Sequence, residues 1–330
     1  MPKSKVGFLG VGWIGRNRME AMIDTDAIEV IAISDPSEEM TREAIARAPA
    51  ARIVPSLEAL LALRPDGVVI ATPSALHAEQ SIQALAAGVA VFCQKPLGRN
   101  AGEVAAVVDA ARRADRLLGV DLSYRFTAGM QRIVELIRSG ELGEIFAIDL
   151  TFHNAYGPGK DWFFDRAASG GGCVIDLGVH LVDLALWAMD FPALAGPVQA
   201  TLLQHARPLP EGAVEDYATA SFQLASGASG ASVRLACSWN LHAGQEAEIG
   251  AIFYGTNGAA ALRNVNGSFY DFTAERHRGT QRELLVGPPD AWGGRAAANW
   301  AVQLAAGSRF DPESARLIES ARILDAIYAA

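Results

Sequence analysis

The chain has 330 residues, half of them hydrophobic and a fifth charged, which suits roughly two domains with buried cores and excludes a disordered chain. Its 28 basic and 37 acidic residues leave a net charge of −9, with no basic run beyond Arg112-Arg113, so neither nucleic acid nor a membrane is expected as a partner. Cys93, Cys173 and Cys237 form no CxxC pair, and no signal-like segment or uncharged membrane-length apolar run is present; free thiols and a cytoplasmic location are expected.

The first 120 residues alternate β-rich runs with helical patterns. Strands are expected at 6–10, 29–34, 52–54, 67–71, 90–93 and 117–120, and helices at 37–47, 75–87 and 101–114. Strands spaced by helices imply an α/β fold with a parallel, doubly wound sheet covered on both faces.

Gly10-Val11-Gly12-Trp13-Ile14-Gly15 links the first strand to the first helix. Gly10 permits a tight turn, Gly12 lets backbone approach a pyrophosphate, and Gly15 lets helix and strand pack closely. The N–H groups of the helix N-terminus, around Gly12, Trp13 and Ile14, face the anion. Asp35 ends the second strand twenty residues after Gly15. A carboxylate there accepts ribose hydroxyls and repels a 2′-phosphate, favouring NAD over NADP. The plainer alternative is glycines that only turn a corner, with Asp35 capping a helix before Pro36.

Two further strand ends carry polar residues at the carboxyl edge, where ligands bind in such sheets. Thr72, Pro73 and His77 in Ala71-Thr72-Pro73-Ser74-Ala75-Leu76-His77 are candidate cofactor contacts. Cys93-Gln94-Lys95-Pro96 ends the next strand, adding Gln94 and Lys95. Only four of the 28 basic residues are Lys, and Lys95 alone of these sits at a strand end in this sheet. A compact ammonium there would stabilise a developing alkoxide.

After residue 122 the pattern changes, so a first domain at 1–122 and a second at 123–330 are expected. A helix at 128–139 and a strand at 144–154 precede a Gly/Pro-rich loop and a helix at 172–188. Consecutive strands near 197–206, 215–224, 230–240, 246–254 and 258–264 imply a mostly antiparallel sheet in an α+β domain, and a helix at 312–328 behind Asp311 closes the chain. In the segment Ser169-Gly-Gly-Gly-Cys-Val-Ile-Asp176-Leu-Gly-Val-His180-Leu-Val-Asp183, uniform α-helical spacing places Asp176, His180 and Asp183 on one face. Neutral His180 can accept a hydroxyl proton, and Asp176 can orient it or hold a substrate hydroxyl. A metal site is disfavoured because no further Cys or His stands at ligand spacing. Asp183 alternatively pairs with a neighbouring Arg.

Together these residues resemble the Gfo/Idh/MocA oxidoreductase family (glucose–fructose oxidoreductase, inositol 2-dehydrogenase). The likeness rests on Gly10-x-Gly12-x-x-Gly15, Asp35, Ala71-Thr-Pro-x-x-x-His77, Lys95-Pro96, Arg125 and Gly170-Gly-Gly-x-x-x-Asp176-x-x-x-His180. It implies a Rossmann domain, a second domain whose sheet leaves one face open for a homodimer or homotetramer, and a C-terminal helix returning to the first domain. It also implies that Lys95, Asp176 and His180 surround the carbinol carbon of a sugar or polyol, with a cis bond before Pro96. Arg125, His153, Tyr156 and Trp162 are the substrate-pocket candidates. Two departures stand out: Gln94 replaces the usual Glu before Lys-Pro, and Trp162 is followed by Phe163 rather than the Arg of many NADP-using relatives.

The expected function is hydride transfer between NAD and a secondary alcohol or ketone of a cyclic sugar, polyol or sugar derivative. An oxidoreductive glycosidase and a non-catalytic NAD- and sugar-binding regulatory module are the alternatives.

Overall fold

A computed structural model describes residues 3–227 and 230–330. In chain order the elements are β1 (Ser4–Leu9), α1 (Trp13–Ile23), β2 (Ile28–Ser34), α2 (Glu38–Arg47), β3 (Arg52–Ile53), α3 (Leu57–Leu61), β4 (Gly67–Ile70), α4 (Ser74–Ala86), β5 (Ala90–Cys93), α5 (Ala101–Ala114) and β6 (Leu118–Val120). There follow α6 (Ala128–Arg138), β7 (Ile145–Asn154), the short α7 (Arg166–Ser169), a π-helical turn (Val174–Gly178) and α8 (Val179–Ala188). The remainder is β8 (Gln199–Gln204), β9 (Arg207–Pro208), β10 (Tyr217–Leu224), β11 (Ala231–Ser238), β12 (Ala247–Gly255), β13 (Gly258–Asn264), β14 (Phe272–Arg278), β15 (Gln281–Val286), α9 (Arg295–Ala305) and α10 (Leu317–Tyr328). The chain forms two compact units, one holding the residues up to Asp121 with Gly294–Ile318, the other Leu122–Gly293 with Glu319–Ala330.

The first unit is the doubly wound sheet read from the sequence, in the order β3-β2-β1-β4-β5-β6 with parallel pairing throughout. Its inner strands β4 and β5 are buried on both faces, which is why they read as unbroken apolar runs. The strand order reverses between β1 and β4, where Leu9 pairs with Ser34 on one side and Ile70 on the other. Gly10, Asp35 and Ala71 therefore leave the sheet side by side at its switch point.

One helix of this unit comes from far along the chain. Trp300 of α9 lies over Gly67 and Gly119, where a Cβ atom would stand 2.6 Å from its ring in each case. The resemblance assigns the return to the last helix, whereas α9 makes it here. α10 buries Ile323, Leu324 and Ile327 in the core of the second unit. Asp311 caps a 3-10 turn, Pro312–Arg316, that leads into α10, so the expected helix at 312–328 is not uniformly α-helical.

The second unit is a nine-stranded sheet in the order β15-β14-β13-β12-β7-β11-β10-β8-β9. All pairs are antiparallel except β7 with β11. Strands β14 and β15 extend it beyond the strands expected from the sequence, because the charged Glu275, Arg276 and Glu283 obscure their alternation. Alternation along β7 sends Ile148, Leu150 and Phe152 into the core beneath α8, while α6 packs on β13, β14 and β15. The run Arg166–Ala188 is long and apolar enough by composition to cross a membrane, but 89% of its most apolar window is buried here as the core helix. The helix expected at 172–188 begins instead as the π turn, so one α-helical face does not run unbroken from Asp176 to Asp183.

Candidate active site

In the first unit the glycine turn has the geometry of a dinucleotide cradle. Gly10 adopts φ +87°, and a Cβ on it would stand 2.5 Å from the carbonyl oxygen of Ala71. A Cβ on Gly15 would meet the Gly10 carbonyl oxygen at 2.2 Å. Gly12 caps α1 with no side-chain hydrogen bond to the helix start, which leaves the first N–H groups of the helix to an anion. Asp35 accepts the Val11 N–H at Oδ2 (2.8 Å) and the Ser37 N–H at Oδ1 (2.9 Å). The carboxylate therefore pins the glycine turn, while Ser37 itself is the cap of α2. Each Asp35 oxygen retains acceptor capacity for a ribose hydroxyl. These residues fit NAD.

His77 is not placed as a cofactor-facing side chain. It is 1% exposed, and its Nδ1 and Nε2 each lie 2.7 Å from a carbonyl oxygen, of Pro96 and Thr72 respectively. The ring thus clamps the loop after β4 to the loop after β5. Burial pushes its pKa below the ordinary histidine value, the two carbonyls opposing that shift. Thr72 donates its hydroxyl to Gln80 (2.6 Å). The clamped loop carries Lys95, half-buried beside a cis Lys95–Pro96 bond.

Gln94 also differs from its expected role. Its amide is buried and donates to Asp121 Oδ2 at 2.7 Å; the same oxygen accepts Arg18 Nε at 2.6 Å. One buried carboxylate is thereby balanced by one guanidinium and one neutral amide. That network accounts for Gln rather than Glu before Lys95, since a second carboxylate would face Asp121 in a water-poor site.

In the second unit the glycine triplet leads into the π turn. Asp176 is half-buried, and its Oδ2 accepts the indole N–H of Trp239 at 3.1 Å. Phe163 and Phe164 set their ring edges against Trp239, at centroid distances of 6.3 Å and 5.8 Å, and Trp162 stacks on Phe163 at 3.8 Å. Trp162 thus reaches the surroundings of Asp176 through an aromatic relay. His180 is 8% exposed and packs against the Tyr124 ring at 4.8 Å.

Asp183 leaves this group. It forms a two-pronged ion pair with Arg125, whose Nε lies 2.7 Å from Oδ2, and whose guanidinium lies over the Trp187 and Phe191 rings. Burial raises the Asp183 pKa while Arg125 opposes the shift. The fork of Arg125 is thereby occupied by a protein carboxylate, in place of the expected sugar hydroxyl. His153 lies on the β7 face opposite Phe152, where Nδ1 contacts the Ser238 hydroxyl (2.7 Å), its ring stacks with Tyr217, and burial lowers its pKa. Tyr156 is half exposed and bonded to Glu246, which raises its pKa.

Trp239 and Glu215 escaped the sequence reading. The signal for Trp239 was the alternation of β11, whose core-facing Val233, Leu235 and Cys237 extend to position 239. Glu215 gave none, since an acidic residue at the first position of an expected strand reads as solvated.

Comparison with known proteins agrees with this architecture. Residues 4–122 match the family model described as an oxidoreductase family with an NAD-binding Rossmann fold, and residues 130–261 match the GFO/IDH/MocA C-terminal domain. The chain belongs to the Gfo/Idh/MocA oxidoreductase family, with an NAD-binding Rossmann domain at its N-terminal end. D-glucoside 3-dehydrogenase of Escherichia coli is 35% identical over 136 residues, 41% of this chain and 39% of that protein. 1,5-Anhydro-D-fructose reductase of Ensifer adhaerens is 28% identical over 262 residues, 78% of this chain and 75% of that protein. The match thus spans well under half of the first relative and three quarters of the second. Among solved structures, levoglucosan dehydrogenase in complex with NADH and levoglucosan has the same fold, with a TM-score of 0.83 at 22% identity, covering 99% of this chain and 97% of that one.

Proposed function

We propose that the protein is an NAD-dependent oxidoreductase that interconverts a secondary alcohol and a ketone on a cyclic sugar, polyol or sugar derivative. Its relatives named as sugar dehydrogenases and reductases support the substrate class. The observation that carries the reading is the carboxyl edge of the parallel sheet, where one unit presents both the Gly10–Gly15 cradle and the clamped loop of Lys95.

When bound, NAD supplies the acceptor for the hydride that leaves the carbinol carbon. His180 takes the hydroxyl proton as general base. The Lys95 ammonium donates to the same oxygen and stabilises the negative charge that develops on it. Asp176, held by Trp239, accepts a neighbouring hydroxyl or orients His180. Trp162 offers an aromatic face to the sugar ring. Asp35 binds the ribose hydroxyls and disfavours a 2′-phosphate. The sheet face not covered by α6 and α8 is the surface we assign to self-association as a homodimer or homotetramer.

Incubation with sugars and polyols, each with NAD and with NADP, and monitoring of reduced nicotinamide tests this function. Production of NADH from at least one cyclic substrate is expected. Sugar release without net NADH would favour oxidoreductive glycoside cleavage instead.

A further inference from the structure

Beneath the glycine triplet of the second unit lies a carboxylate that the proposed chemistry does not use. Glu215 is fully buried, and its Oε1 accepts three hydrogen bonds: from the Gly172 N–H (3.0 Å), the Val174 N–H (2.9 Å) and the Tyr328 hydroxyl (2.8 Å). Its other oxygen, Oε2, is buried with no hydrogen-bonding partner. The Tyr328 hydroxyl in turn accepts the Ile175 N–H at 3.2 Å, and the backbone carbonyl of Glu215 accepts the Cys173 N–H at 3.0 Å. Four consecutive non-glycine or glycine N–H groups, at 172, 173, 174 and 175, thus end on Glu215 or Tyr328. They are the donors that a helix start leaves unsatisfied.

The packing is close enough to explain the glycines. A Cβ on Gly172 would stand 1.9 Å from the Glu215 carbonyl oxygen, and one on Gly171 would stand 2.0 Å from the Tyr328 hydroxyl. The residues that follow are the π turn, with Asp176 at its centre. A π turn is an unfavourable local geometry that persists where surrounding contacts fix it. Burying a carboxylate with one bare oxygen is costly, and such groups are retained where they hold something in place.

We infer that Glu215 and Tyr328 are positioning residues: together they anchor the N–H groups of residues 172–175 and so set the place of Asp176 and the register of His180 behind it. This rests on the function proposed above for Asp176 and His180. Neither Glu215 nor Tyr328 touches a reacting atom in this scheme.

Three variants test it: Tyr328→Phe, Glu215→Ala and the conservative Glu215→Gln, which keeps an acceptor oxygen for the N–H groups. Amide hydrogen exchange is measured over residues 170–178, with kcat and KM for the best sugar and NAD affinity alongside. Glu215→Ala and Tyr328→Phe should speed exchange in that segment by about tenfold or more, the scale of one lost hydrogen bond to a charged group. The same variants should lower kcat by roughly ten- to a hundredfold, as misplacement of a reacting group does, with KM changing less. NAD affinity should stay as in wild type, and Glu215→Gln should recover most of the lost turnover. Exchange unchanged in both disruptive variants overturns the inference, and so does faster exchange with wild-type kcat. If Glu215→Ala does not fold, Tyr328→Phe decides by the same two readings. A wild-type chain that turns over no sugar counts against the function proposed above, and the exchange result then decides alone whether Glu215 and Tyr328 hold the turn.

Discussion

Trp239 donates its indole N–H to Asp176 across 3.1 Å, linking the end of β11 to the centre of the π turn. Trp239 is 3% exposed, so the bond is shielded from water and fixes one oxygen of a carboxylate that is itself half-buried.

Trp239→Phe retains an aromatic ring against Phe163 and Phe164 but removes the donor. Stability should fall by only about 1 kcal/mol, the net worth of one hydrogen bond. Turnover should fall by roughly tenfold or more, because the carboxylate loses its fixed orientation. Thermal unfolding and steady-state kinetics on the same preparation separate the two effects. Wild-type kcat in a folded variant would show that Asp176 does not depend on Trp239.

Gln94→Glu installs the residue usual in the family, yet in this chain it should be disruptive. The new carboxylate would replace an amide donor 2.7 Å from Asp121 Oδ2, with Arg18 already committed to that oxygen. A loss on the order of 3 kcal/mol is expected, the scale of an uncompensated buried charge. Adding Asp121→Asn restores one carboxylate, one amide and one guanidinium, so the double variant should regain most of the loss. Chemical denaturation of the four proteins measures the coupling. Additive losses would mean that Gln94 and Asp121 do not share a charge balance.

Asp35 should give a preference for NAD, seen as a higher kcat/KM than with NADP. Asp35→Ala should weaken NAD binding and narrow the preference, because the carboxylate holds both the Val11 N–H and a place for the ribose. Cofactor kinetics on both proteins read this. Equal efficiency with the two cofactors in wild type would remove Asp35 from that role.

Burial raises the Glu215 pKa above its ordinary value, with the Val174 and Gly172 N–H groups and the Tyr328 hydroxyl opposing the shift. A carboxyl with a raised folded pKa favours the native state below its unfolded value, near ~4.3, and loses that advantage as pH rises through the folded value. Wild type should therefore lose stability relative to Glu215→Gln across that rise. Denaturant unfolding of both proteins from acid to neutral pH is the check. A stability difference that does not change with pH would mean that Glu215 titrates alike in both states.

Much of this protein was legible in the sequence where local chemistry and spacing dictate structure. Gly10, Gly12 and Gly15 announced the cradle because no other residue tolerates the contacts at Gly10 and Gly15. Gly67 and Gly119 carried the imprint of Trp300, but a glycine within a strand does not say which distant ring will fill its space. The stripe of Asp176, His180 and Asp183 was read at uniform α-helical period, and the π turn breaks that period. The groups that take up the N–H groups of residues 172–175, Glu215 and Tyr328, lie far away in sequence and are invisible to any local window. Arg125 reads from the sequence as a substrate-pocket candidate and Asp183 as one of a helical stripe with an Arg as its alternative partner; only the tertiary fold shows that these two satisfy each other.

The central claim is that Lys95 takes part in chemistry at a bound sugar, and a paired measurement on Lys95→Arg tests it most directly. Guanidinium is larger and planar, so it cannot take the place of a compact ammonium at the reacting oxygen. NAD affinity, measured by calorimetry, depends on the Gly10–Gly15 turn and Asp35 and should be unchanged. NADH production from the best substrate should fall by at least roughly a hundredfold, the scale of one lost oxyanion donor. A variant that binds NAD and turns over like wild type would contradict the account.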